Sequence, residues 1–128
     1  MDQTIQQQRA KYAMSAINQA KKDGVNQGEF KSYASALPAM IHMNGLGQAA
    51  AFFRMKRGTH ETLYRILSEW LCADGRVYGR GKDLLEEIAN SDMHAYRLAQ
   101  AEAQALMDWV KKFAKAFMQD EAEKGNHD

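Results

Sequence analysis

The chain has one cysteine and one proline, and nothing in it approaches eighteen uninterrupted apolar residues. A lone Cys72 excludes an intrachain disulfide and any multi-cysteine zinc site, which fits a reducing compartment. The missing long apolar run removes any candidate transmembrane helix, and the start, with Asp2 and the glutamines at 6 to 8, lacks the basic-then-apolar form of an export signal. The expected setting is cytoplasmic, with no membrane partner. β-Branched residues are sparse, alanine is abundant, and apolar positions recur at threes and fours, so no strand is read and the chain is expected to be all-α.

Catalytic signatures are equally scarce. The histidines at 42, 60, 94 and 127 fall in different elements, and no pair has the spacing that puts two zinc ligands on one helical face. Glu86 and Glu87 point about 100° apart on a helix and share no site. Residues 75–82 end in Gly81-Lys82 like a phosphate loop, but the spacing is one residue too long, Asp83 replaces the magnesium-binding hydroxyl, and no strand precedes. The residues thus offer no catalytic constellation, metal-ligand set or nucleotide site, and a small hydrolase or nuclease is the least favoured reading.

What the 128 residues do contain is enough for one core that buries roughly two-thirds of the unfolded chain's surface. The pattern predicts a compact single-domain bundle of about six or seven helices over 1–122, with a flexible acidic tail at 123–128. The first helix runs roughly over 2–22, a second over 29–36, and Pro38 starts a third, because proline suits a first turn and disrupts an interior. Asn44-Gly45 closes that short helix, Leu46 folds back on it, and a further helix through Phe52 and Phe53 follows. Thr59 is the expected N-cap of a helix to about 73 that carries Leu67 and Trp70 inward. Residues 74–82 form a glycine-rich loop, in which Arg76, Tyr78, Arg80 and Lys82 have the composition of a mobile nucleic-acid-binding segment or of a plain linker. Asp83 and Glu86 resemble a capping box. The long C-terminal helix, about 92–122, has a heptad-like seam of Tyr96, Ala99, Ala103, Leu106, Val110, Phe113 and Phe117. Leu98, Ala105, Trp109 and Ala116 widen its apolar arc, so the helix is either central in the bundle or meets another copy of the protein along the Trp109 flank.

Charge is divided along the chain. Residues 1–82 carry 12 Lys/Arg against 6 Asp/Glu and residues 83–128 carry 5 against 10, so a +6 portion precedes a −5 portion and the net is +1. Arg54, Lys56 and Arg57, at the exit of the helix that follows the corner, are the leading phosphate-contact candidates, although cations there also oppose the helix dipole without any ligand. Lys31, Arg97, Lys111, Lys112 and Lys115 are weaker candidates, and Trp109 with Leu98 is the candidate subunit contact.

Three blocks carry a resemblance. Leu37-Pro38-Ala39-Met40-Ile41 with Asn44-Gly45-Leu46-Gly47-Gln48, then Leu67-Ser68-Glu69-Trp70-Leu71, then Tyr96-Arg97 through Glu102-Ala103, Leu106, Trp109 and Lys112-Phe113-Ala114, resemble the small helical subunit of the type III-B CRISPR effector, the Cmr complex. The likeness spans roughly residues 5–117. It implies a non-catalytic structural subunit that stacks in several copies beside the repeated backbone subunit of a ribonucleoprotein, along the guide RNA and its target RNA, with no cofactor. It transfers Pro38, Asn44, Gly45, Leu46 and Trp70 as architecture and leaves the RNA contacts open. The alternative is a helical spacer that sets subunit stacking and touches no RNA.

Overall fold

The computed structural model describes residues 2–120, and among them six helices and no strand. Helix α1 spans Ile5–Lys22, α2 Gln27–Asn44, α3 Leu46–Lys56, α4 Gly58–Leu71, α5 Leu84–Asn90 and α6 Met93–Phe117. The tail expected at 123–128 lies outside the described residues, as do the last two of the 1–122 range. Helix α6 is central: it packs against both α1 and α2 and also touches α4 and α3.

Each of the three longest helices starts where a side chain can take up its unpaired amides. Thr4 and Gln7 make a reciprocal capping box on α1, with Oγ1 accepting from the Gln7 N–H at 3.1 Å. Asn26 accepts from the Glu29 N–H at 2.9 Å on α2, and Asp92 from the Ala95 N–H at 2.8 Å on α6.

Pro38 does not begin a helix; it lies inside α2. The short helix expected after it is the second half of α2. Phe30, Ala34, Leu37 and Ile41 form one fully buried stripe across the proline. Burying three large side chains at about 1.5–3 kcal/mol each outweighs an interior proline's cost of about 3 kcal/mol. Gln104 Nε2 of α6 also donates to the Pro38 carbonyl at 3.1 Å.

Three further boundaries differ from the sequence expectation. Helix α4 starts at Gly58, and Thr59 gives no cap, because its hydroxyl donates to Glu29 Oε1 at 2.9 Å. Asp83 precedes α5 without capping it: its carboxylate accepts from the Tyr64 hydroxyl at 2.6 Å. Ser68 and Tyr64 of α4 take over, accepting from the Leu84 and Leu85 amides at 3.0 and 3.1 Å. Helix α6 ends at Phe117, after which Met118 turns back into the core.

The 74–82 loop is anchored at Tyr78 and Arg76, while Arg80 and Lys82 stay exposed. Tyr78 is buried, with its hydroxyl 3.0 Å from Ser91 Oγ, and the Arg76 guanidinium lies 4.1 Å from the Trp70 ring centroid. Tyr78 is therefore unavailable to stack a base. A Cβ at Gly81 would come within 2.7 Å of the Glu87 side chain and 2.8 Å of the Tyr78 carbonyl, so only glycine fits there.

Candidate nucleic-acid interface

The basic exit is positioned from the far side of the bundle. Gly45 takes φ +86°, a conformation that strains any other residue, and a Cβ there would stand 3.1 Å from the Tyr96 hydroxyl. Helix α3 has no cap of its own. Instead Gln100 Oε1 accepts from the Leu46 N–H at 2.9 Å and the Tyr96 hydroxyl from the Gly47 N–H at 2.8 Å, both from α6. Buried Leu46, Ala49, Ala50 and Phe53 then seat α3. Its direction, and so the place of Arg54, Lys56 and Arg57, is set by that corner.

These three cations are exposed but not equivalent. Arg54 Nη1 lies 3.2 Å from Glu61 Oε2, and Lys56 Nζ sits 5.5 Å from the Phe52 ring centroid. Arg57 occupies φ +61°, ψ −170°, a region costly for a residue with a Cβ. Beneath them His60 stacks on Tyr33 at 3.8 Å and meets Phe53 edge-on at 4.9 Å. Burial, then Lys56, holds the His60 pKa below the ordinary histidine range, against an opposing pull from Glu29.

The other candidates lie on α2 and α6, away from the basic exit. Lys31 is paired with Asp120. Arg97 is exposed near the corner end of α6, whereas Lys111, Lys112 and Lys115 lie toward its C-terminal end, Lys111 half-buried. Trp109 is half-buried, donates to Gln6 Oε1 at 2.8 Å, and borders a recess of about 230 Å³ with Ala105, Asp108 and Lys112. Leu98 is 49% exposed. The exposed part of the Trp109 flank is thus narrower than its apolar arc suggests.

A second junction escaped sequence reasoning. Glu102 of α6 accepts both Arg9 Nε at 2.7 Å and Arg9 Nη2 at 2.8 Å, and its Oε2 also accepts the Trp70 indole N–H at 2.9 Å. Burial alone would raise the Glu102 pKa, but the bonds from Arg9 and Trp70 together hold it below the ordinary carboxylate value. Arg76 Nη2 donates to Gln8 Oε1 at 2.7 Å, tying the loop to the same place. The one available signal was a glutamate on the apolar side of α6 with a tryptophan elsewhere in need of an acceptor.

Among the described residues no three His, Cys, Asp or Glu groups are placed to hold a metal ion, and burial, then Glu87, raises the Cys72 thiol pKa. No helix among them is long and apolar enough to cross a membrane.

The Cas_Cmr5 family, described as a CRISPR-associated protein, matches residues 5–117. The chain belongs to this family. A Thermus thermophilus protein named CRISPR system Cmr subunit Cmr5 is 28% identical over 112 residues, which cover 87% of this chain and 93% of that protein. The crystal structure of a CRISPR-associated Cmr5 family protein from Thermus thermophilus superposes with a TM-score of 0.73 at 27% identity, covering 91% of this chain and all of that one. The resemblance of the three sequence blocks to the small type III-B subunit thus holds at the level of family and fold. Within this chain those blocks meet: the first contacts the third through Gly47–Tyr96 and Leu46–Gln100, and the second contacts the third through Trp70–Glu102.

Proposed function

We propose that the chain is a non-catalytic structural subunit of a type III-B CRISPR ribonucleoprotein in the cytoplasm. Several copies stack beside the repeated backbone subunit, and basic side chains hold guide and target RNA by their phosphates. Membership of the Cas_Cmr5 family supports the assembly. The observation that carries the RNA reading is the fixed exit of α3, where Arg54, Lys56 and Arg57 stand exposed on a helix whose start is capped by Tyr96 and Gln100. A few phosphate contacts per copy bind weakly, and repetition along one RNA multiplies them.

Replacing Arg54, Lys56 and Arg57 together by Ala in the assembled complex should weaken RNA capture whatever the RNA sequence, and should flatten the logarithmic salt dependence by about 0.7–0.9 per lost contact. An unchanged slope would remove this patch from RNA binding.

The spacer reading is favoured by one observation at the same place. Arg54 already has Glu61, Lys56 lies over Phe52, and Met55 stands 66% exposed between them, a surface that equally suits a protein neighbour. In that case the triple variant would impair incorporation of the subunit while RNA capture per assembled particle stayed constant.

A further inference from the structure

The end of the described chain crosses the same end of the bundle as the basic exit. Met118 is buried, Lys21 Nζ donates to the Phe117 carbonyl at 3.1 Å, the Gln119 N–H donates to Gln27 Oε1 at 2.9 Å, and Asp120 pairs with Lys31. Lys31 is the covered partner, its side chain 17% exposed against 56% for Asp120. The other carboxylates here are engaged elsewhere: Glu29 by Thr59, Asp23 by Gln19, and Glu61 by Arg54.

Helix periodicity shows what surrounds Lys31. Glu29 and Tyr33 face α4, through Thr59 and His60, and Lys31 lies about 200° from each around α2, on the opposite flank. On α6, Gln100, Gln104, Lys111 and Lys115 fall within one arc of about 60°. The first two glutamines of this row reach Leu46 and Pro38. The antiparallel register set by Gln104 with Pro38 and Gln119 with Gln27 brings Lys111 to the level of Lys31, with Lys115 one turn further along the same seam. Among the described residues three cations thus share one seam; Asp108 lies one turn before Lys111, in the recess beside Trp109, and Asp120 is the carboxylate that pairs with Lys31.

We infer that Lys31, Lys111 and Lys115 form a second phosphate-binding strip along the α2–α6 seam, and that Asp120 stands in it as an internal substitute for an RNA phosphate. It rests on the RNA-binding reading and adds to it a site on the other flank of α2 from the basic exit, with a built-in competitor. RNA reaches the strip by displacing Asp120, so the free chain binds more weakly than its cations would allow.

The test uses the full chain and a fluorescently labelled single-stranded oligouridylate, with affinity read by anisotropy at low ionic strength. Asp120→Asn should tighten binding about twofold to fivefold, the range that freeing one partly exposed ion pair supplies. In a Lys31→Ala, Lys111→Ala background the same change should have no effect. Glu86→Gln removes an exposed charge far from the seam and should leave affinity unchanged. An unchanged affinity for Asp120→Asn, an equal gain from Glu86→Gln, or a gain that survives loss of both lysines would overturn the strip. If the strip alone is wrong, the Arg54, Lys56, Arg57 triple-alanine variant still loses binding. If that variant, the lysine variant and Asp120→Asn all match wild type, the RNA reading falls with it.

Discussion

The two ends of the bundle use polar groups in opposite ways. At the corner end nearly every polar group that matters is answered from another helix: Tyr96 and Gln100 hold the first amides of α3, and Tyr64 and Ser68 hold those of α5. At the basic end Arg54, Lys56 and Arg57 are exposed, the first beside one carboxylate, the second over an aromatic face and the third strained, while the covered Lys31 pairs with Asp120. The difference separates the frame from the proposed RNA surface. The three sequence blocks meet one another at the junctions, and most of the cations proposed to meet RNA are loosely held at the other end.

Breaking the frame should cost most where one acceptor serves several donors. Glu102→Ala leaves the Arg9 guanidinium and the Trp70 indole N–H without their partner. It should lower unfolding stability by about 2–4 kcal/mol in urea titrations. A pH dependence follows from the same group. Its folded-state pKa is depressed, so its contribution is complete above the ordinary value of 4.5 and is lost as pH falls through the folded-state value. Glu102→Gln should remove that part of the acid sensitivity while keeping the side chain's volume.

The corner should respond next. Gly45→Ala meets both the positive φ and the Tyr96 hydroxyl at 3.1 Å, and should cost about 1–3 kcal/mol. Tyr96→Phe removes the Gly47 cap alone and should cost about 1 kcal/mol by thermal or urea unfolding.

At the basic end the sign should reverse. Arg57→Gly relieves the strained backbone, so stability should rise, by up to about 1 kcal/mol, while RNA capture by the assembled complex weakens. A loss of stability would mean that Arg57 belongs to the frame.

Much of the frame was legible in the sequence, because periodicity reports which face of a helix is buried. Ala13, Ile17 and Ala20 of α1, Leu63, Leu67 and Trp70 of α4, and Ala99, Ala103, Leu106 and Val110 of α6 are all buried as their spacing implies. From the middle of the α6 seam onward the reading weakens: Met107 and Ala114, off the seam, are buried, and Phe117 is 47% exposed. A strict heptad drifts around a straight helix of 3.6 residues per turn. Pro38 was misplaced because its local cost was visible and the tertiary stripe that outweighs it was not. The caps of α3 and α5 were illegible for a related reason: they are supplied by residues on other helices, and local capping rules search only the adjacent turn. The cations were legible as a list. What gathers Lys31, Lys111 and Lys115 on one seam is the α2–α6 register, which no local pattern contains.

The separation of the frame from the proposed RNA surface is tested most directly by mapping crosslinks between target RNA and this subunit in the assembled complex. The expected result is adducts on peptides from the basic end, around residues 54–57 and along the seam of Lys31 with Lys111 and Lys115, and none around the corner at 44–47. Adducts confined to the corner end, or none on this chain in a complex that holds RNA, would contradict it.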